Sequence, residues 1–260
     1  MNIAFYTGTS GMIAYQQDMD IIAHNIANVN TTGYKTQRAV FSDLLYSRMA
    51  VNTEENFMTG HGIKVADSDL IFQQGPVLPT QNPLDFGIIG AGFFALQTGE
   101  GSGRNSSAQL AYTRNGAFGI SVDGNTGTLV SADGAFVLGS DGNKITLTRS
   151  TSDGPFDLTS IVNRLGVYQF PNPFGLEPAS GGRFLQTEKS GEAQSPQQAS
   201  TAAQSSQELP YRIISSALES SSVNLADEMV MVIQSQRAFQ FSARLVQTAD
   251  DLEEIVNNLR

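Results

Sequence analysis

The sequence predicts an α+β fold: a discontinuous, coiled-coil-like helical domain built from both chain ends, with an antiparallel β domain inserted between them. Three observations predict it. Apolar residues near each end recur at alternating steps of three and four. The middle breaks into short β-rich runs separated by Gly, Asp and Asn turns. Gln186 to Glu208 holds Gln, Ser, Ala and Thr with no bulky apolar side chain, so it cannot bury enough surface to offset its ordering entropy. These place the helical domain at residues 1–50 and 215–260, a connecting segment at 51–72, the β domain at 73–187 and a Gln/Ser-rich linker at 188–214.

The first helix carries Phe5, Met12, Tyr15, Met19, Ile22, Ile26 and Val29 on one seam, with Gly8 in its single gap. Its exit is Asn28-Val29-Asn30-Thr31-Thr32-Gly33, a cluster of turn formers. Here Asn25, Asn28 and Asn30 are expected to satisfy backbone groups where the helix ends, because Asn side chains mimic the backbone. With Thr32 and Gly33 they make a helix-exit motif, and Gly33 is expected at positive φ.

In the middle, Leu84 to Ile89, Phe93 to Gln97, Leu110 to Arg114 and Thr128 to Ser131 read as strands. Asp123-Gly124, Asp133-Gly134 and Asp141-Gly142 are the turn signals between them.

The last helix starts at Asn224, a plausible N-cap with Asp227 as its capping-box partner. Its seam is Met231, Gln234, Ala238, Phe241, Leu245, Thr248, Leu252, Ile255 and Leu259. Met229, Val230, Val232, Ile233 and Phe239 widen the apolar surface beyond one stripe, which calls for more than one neighbour. The two seams are expected to pair with each other. Their surplus apolar faces are expected to meet other chains.

Composition narrows the function. A net charge of -10 argues against a nucleic-acid partner and against an anionic membrane surface. The chain has no Cys, which removes disulfides, thiolate chemistry and Cys-based metal sites. No window approaches 18 consecutive apolar residues, so no membrane insertion is expected. Met1 to Thr7 carries no Lys or Arg, and no cleaved signal is visible.

Chemistry is hard to find. His24 and His61 are the only histidines and no motif joins them. Gly90-Ala91-Gly92 lacks the third Gly and following helix of a dinucleotide loop. Asp123 to Gly127 has no closing acid for calcium. Glu253 and Glu254 are adjacent, so they point in different directions on a helix. No catalytic residue, cofactor site or metal site is expected, and the chain does not read as an enzyme.

Ile22 to Lys35, with its Asn-Ile-Ala-Asn core followed by Thr-Thr-Gly-Tyr-Lys, resembles the N-terminal signature of the flagellar basal-body rod and hook proteins. Arg38 to Tyr46 narrows the likeness to the distal rod branch. Gly60 to Val65, Gln74-Gly75, Leu84 to Phe94, Tyr112 to Phe118 and Leu218 to Asn224 through Phe239 fit the same pattern. The segments from Tyr46 to Gly60 and from Thr148 to Leu165 are shorter than that likeness implies. The resemblance implies a structural axial subunit of the rod that polymerises with itself into a hollow helical tube, transmitting torque around an export channel. It implies other rod subunits, the hook protein, the surrounding ring proteins and the flagellar type III export apparatus as partners. It places the protein in the basal body outside the cytoplasmic membrane, exported without a cleaved signal. The alternatives are a proximal rod or hook-type axial subunit or, in a different class, a self-associating surface adhesin.

Overall fold

The computed structural model describes residues 3–48, 58–98, 109–124, 126–148, 161–195 and 211–259. The chain divides into two compact units: Met1–Val29 with Thr36–Ile71 and Val223–Arg260, and Asn30–Lys35 with Phe72–Ser222.

The first unit pairs helix α1 (Ile3–Ala27) with the last helix, α3 (Leu225–Asn258). The helices run antiparallel: Gly8 lies against Val246, Gly11 against Ser242, Asp18 against Ser235 and Asn25 against Glu228. Asn224 caps α3, accepting from the Ala226 N–H, and its side-chain amide donates to Asp227 at 2.7 Å. Strands β1 (Gln37–Asp43) and β4 (Ile63–Leu70) form an antiparallel ribbon beside α1, with a register shift at Val40/Phe41. Tyr15 meets Phe41 with ring centroids 5.8 Å apart. A short hairpin, β2 (Tyr46–Arg48) with β3 (Met58–Gly60), extends it.

The seam between α1 and α3 differs from the one the periodicity selects. Among the buried or half-buried positions of α3, 228, 232, 235, 239, 242, 246 and 249 alternate four and three, with Ala238 and Ala243 half-buried beside them. The predicted residues Met231, Phe241, Leu245, Leu252, Ile255 and Leu259 are exposed, with Phe241 65% and Leu259 83% accessible; Ala238 is half-buried. On α1, Ile22 is buried, Met12, Tyr15, Met19, Ile26 and Val29 are half-buried, and Phe5 is exposed. The correction has a steric cause. An added Cβ on Gly8 would stand 2.8 Å from Val246 Cγ2, and one on Gly11 2.9 Å from Ser242 Oγ. With Ala14 and Ala249 both buried, small residues let the two backbones approach, and bulky side chains are displaced from the contact.

The second unit is antiparallel. Its main sheet has nine strands: β7 (Phe93–Thr98), β8 (Gln109–Thr113), β9 (Phe118–Asp123), β10 (Thr126–Ser131), β11 (Phe136–Val137), β12 (Thr146–Thr148), β13 (Val167–Tyr168), β14 (Glu177–Ala179) and β15 (Arg183–Leu185). Their order is β12-β10-β11-β7-β8-β15-β14, with β13 on β7 and β9 on β10. Two smaller ladders pair β6 (Phe86–Gly90) with β16 (Tyr211–Ser215), and β5 (Val77–Pro79) with β17 (Ala217–Glu219). The four predicted strands are all present, as β6, β7, β8 and β10. Gly124, Gly134 and Gly142 take the positive φ their turns require, at 59°, 78° and 72°. Phe86, Ile88, Phe94, Leu96, Phe118, Leu129, Val137, Ile145, Leu147, Leu165 and Val167 form one core with Ile161 of the one-turn helix α2 (Ile161–Arg164). Within the linker span, Gln194 bridges to Gln169, residues 196–210 lie outside the described residues, and Tyr211 already belongs to β16.

Candidate functional site

The exit from α1 sorts the five motif residues into different tasks. Asn28 donates from its side-chain amide to the His24 carbonyl at 2.9 Å, closing the helix end as expected. Asn25 is buried and serves a different backbone. Its amide donates to the Gln37 carbonyl at 2.7 Å while its side-chain oxygen accepts from the Gln37 N–H at 3.0 Å. It thereby pairs with the start of β1 as a strand would. The same amide also faces both Glu228 carboxylate oxygens at 3.3 Å. Asn30 is exposed and Thr32 half-buried.

Glu228 sits buried between α1 and α3. Burial pushes its carboxyl above the usual range, the Asn25 amide pulls it down, and Asp18 and Asp227 push it further up. The Ser235 hydroxyl donates to Asp18 beside it. The helix pair is therefore held by polar links as well as by small-residue contact.

Gly33 stands at φ +69°, as its place in the exit requires, and its N–H donates to the Glu219 carbonyl at 2.9 Å. A Cβ there would fall 2.7 Å from both the Arg114 carbonyl carbon and the Asn115 nitrogen. Nothing larger than a hydrogen fits.

Two residues further on, Lys35 opens a buried ion cluster inside the second unit. Its ammonium donates to Glu219 Oε1 at 2.7 Å and to the Gln73 carbonyl at 2.8 Å. Glu219 Oε1 also accepts from the Gly75 N–H at 2.9 Å, and Oε2 from Arg114 Nη1 at 3.1 Å. Arg114 reaches the Gly90 carbonyl at 2.7 Å and lies 5.4 Å from the centroid of the Phe93 ring. The Lys35 and Glu219 side chains are 1% and 0% accessible. Two cations thus share one carboxylate out of water, and carbonyls and an aromatic face supply the remaining negative potential. Burial pushes both Lys35 and Arg114 below their usual ranges, opposed in each case by Glu219.

The cluster ties the segment where the chain enters the second unit, Asn30–Lys35, to the segment where it leaves. Gly33 reaches Glu219, and the Ser222 N–H donates to the Tyr34 carbonyl at 3.1 Å. Sequence reasoning singled out none of Lys35, Arg114 and Glu219. Each is nevertheless the charged residue inside a stretch that carries the family resemblance: Lys35 in Ile22 to Lys35, Arg114 in Tyr112 to Phe118 and Glu219 in Leu218 to Asn224. Three lone charges, each set among Gly, small and apolar residues, were the available signal.

Among the described residues no three or more His, Cys, Asp or Glu are grouped to hold a metal ion, and no helix is long and apolar enough to cross a membrane. Large apolar side chains remain exposed on α3, among them Val230, Ile233, Phe241, Leu252 and Ile255, with Leu259 at its C-cap. The terminal unit is thus a pair of end helices that leaves apolar side chains exposed, and the β unit, taken by itself, has a closed apolar core.

Three family models match: "Flagella basal body rod protein" over residues 5–35, "Flagellar hook protein FlgE/F/G D1 domain" over 87–162 and "Flagellar basal body rod FlgEFG protein C-terminal" over 214–259. Curated relatives align almost end to end. The flagellar basal-body rod protein FlgG of Borreliella burgdorferi is 34% identical, covering 99% of this chain and 98% of the relative. The FlgG proteins of Bacillus subtilis and Agrobacterium fabrum are each 32% identical over 98% of both chains. The flagellar hook protein FlgE of Treponema pallidum is 37% identical, but over only 52% of this chain and 29% of that protein. The chain belongs to the flagellar basal-body rod protein family, and its full-length likeness is to the FlgG type.

Proposed function

We propose that this chain is a structural axial subunit of the bacterial flagellar rod, of the distal type, which polymerises with itself into a hollow helical tube. The tube transmits torque and surrounds an export channel. The observation that carries the reading is the exposed face of α3, where Phe241, Leu252, Ile255 and Leu259 stand in water in the free chain. An apolar face of that extent marks an interaction surface. In the tube, Met231, Phe241, Leu245, Leu252, Ile255 and Leu259 become subunit contacts, together with the outer flanks of Met12, Tyr15, Met19, Ile26 and Val29. Coiled-coil packing of the terminal helices then arises between copies. No catalysis is part of this role.

Other rod subunits, the hook protein and the surrounding rings are its neighbours, and the flagellar export apparatus delivers it outside the cytoplasmic membrane without a cleaved signal. The partial match to the hook protein leaves the hook-type reading weaker than the rod one. Electron microscopy of concentrated purified protein tests the proposal. Tubes with a narrow central channel are expected, and amorphous aggregates or discrete small oligomers at every concentration would refute it.

A further inference from the structure

The β unit carries a groove of about 430 Å³ between β7, β8, β13 and the segment that follows β15. Ala95 and Leu138 wall it, and Leu110, 48% accessible, forms an apolar lip. Tyr112 and Tyr168 line it, their ring centroids 6.1 Å apart. The Tyr168 hydroxyl donates to the Gly139 carbonyl at 2.9 Å, so its oxygen keeps lone pairs to accept with. Tyr112 is only 2% accessible, yet among the described residues its hydroxyl has no hydrogen-bond partner. A tyrosine so far out of water ordinarily has one. Burial, and then Tyr168 beside it, push the Tyr112 hydroxyl above its usual range, so it stays a neutral phenol. The charge at the groove is negative. Glu192 stands exposed on the rim with Gln186, the Asp141 carboxylate acts on the Tyr168 hydroxyl, and no Lys, Arg or His is among the lining residues. Lys144, in the same turn as Asp141, lies over the Phe136 ring at 4.1 Å.

We propose that this groove takes an arginine side chain presented by a partner protein. A guanidinium spreads five N–H donors around one plane. The groove offers acceptors to match: two phenol oxygens inside, with the Gln186 amide oxygen and the Glu192 carboxylate at the rim. A lysine ammonium puts its donors on one atom and cannot reach so dispersed a set. An anion would meet Glu192 with no cation to hold it, and an apolar group would leave the Tyr112 hydroxyl unpaired. Ala95 and Leu138 suit the aliphatic stem of the arginine. The groove is roomier than one guanidinium needs, and Leu110 at its lip gives a flanking residue an apolar surface. The occupant is therefore an arginine within a chain. A net charge of -10 repels a second copy and favours a basic partner. The site lies wholly in the β unit and holds or fails independently of the terminal helices and of the rod assignment.

Amide chemical shifts of the dilute full chain, titrated with the blocked peptide acetyl-Ala-Arg-Ala-amide, test this. Saturable shifts are expected at Ala95, Leu110, Tyr112, Leu138 and Glu192. The lysine counterpart of the peptide should bind about tenfold more weakly, and the uncharged citrulline counterpart more weakly still. Tyr112→Phe should lower the affinity about tenfold without lowering the melting temperature, because its hydroxyl bonds nothing else among the described residues. Glu192→Gln, an exposed position, should lower the affinity about threefold and remove its salt dependence. No saturable shift with the arginine peptide would overturn the proposal. So would equal affinity for the arginine and lysine peptides, or an affinity unchanged by both substitutions. Shifts of the groove residues that depend on protein concentration in the absence of peptide would also overturn it, assigning the groove to a second copy.

Discussion

The β unit and the terminal unit use their apolar residues in opposite ways. Nearly all the buried hydrophobic residues described belong to the β unit, while the terminal unit contributes Ala14, Ile22, Leu70 and Ala249. Exposed large hydrophobics run the other way: α3 alone shows Met229, Val230, Met231, Ile233, Phe241 and Leu252, among others. Each fully buried large side chain contributes about 1.5–3 kcal/mol. The β unit therefore has the core of an independently stable domain, and the terminal unit does not. What the terminal unit lacks inside it presents outside, as expected of a segment whose stability is completed by neighbours.

The most damaging single change should fall in the β unit. Glu219→Ala leaves Lys35 and Arg114 buried without their shared anion and should cost about 3–5 kcal/mol. Thermal unfolding and amide exchange of β5, β6 and β17 read it. Loss confined to the terminal helices would break the contrast between the units.

Gly33→Val comes next. The left-handed conformation and the 2.7 Å approach to Arg114 and Asn115 together should cost roughly 2–4 kcal/mol, felt at Asn30–Lys35. A crystal structure of the variant with Gly33's replacement at unchanged φ and unchanged neighbours would contradict it.

In the terminal unit, Gly8→Leu forces bulk against Val246 and the Ser242 carbonyl and should cost about 1–3 kcal/mol. Amide protection should fall in α1 while β7 and β8 keep theirs. An equal loss in the sheet would mean the units do not melt separately.

The smallest effect concerns Glu228. Its folded-state carboxyl titrates above the ordinary value, so the folded chain binds the extra proton. Stability should therefore rise as pH falls through that raised value, and level off below the ordinary carboxylate range. Glu228→Gln should flatten this slope and modestly stabilise the helix pair at neutral pH. A slope unchanged by the substitution would assign the pH dependence to other groups.

Much of this was legible in the sequence. Short β-rich runs bounded by Gly, Asp and Asn turns located β6, β7, β8 and β10, because turn formers punctuate strands locally. The N-cap at Asn224 and the positive φ of Gly33 followed from backbone chemistry that is local. The α1–α3 contact was misplaced because periodicity weights bulky residues, whereas Gly8, Gly11, Ser235, Ser242 and Ala249 carry almost no hydropathy signal. The bulky stripe was real, but it marked the outward face. The ribbon of β1 and β4 went unseen, since half its residues are polar and its pairing partners lie far apart in sequence, from Asp43 with Ile63 to Gln37 with Leu70. The ion cluster was invisible for a related reason: Lys35, Arg114 and Glu219 are distant in sequence, and only the fold brings them together.

The account's central claim is that α3 has two faces with separate duties, one holding α1 and one joining other copies. Replacing Phe241 and Leu252 together by Asp tests it most directly, because both are exposed and neither is a position of the buried seam. Amide exchange of the dilute variant should show α1 and α3 protected as in the parent, within about 0.5 kcal/mol. Pelleting and electron microscopy of the concentrated variant should show no tubes. Normal tubes, or an α1–α3 pair that has come apart, would contradict the division of the helix into these two faces.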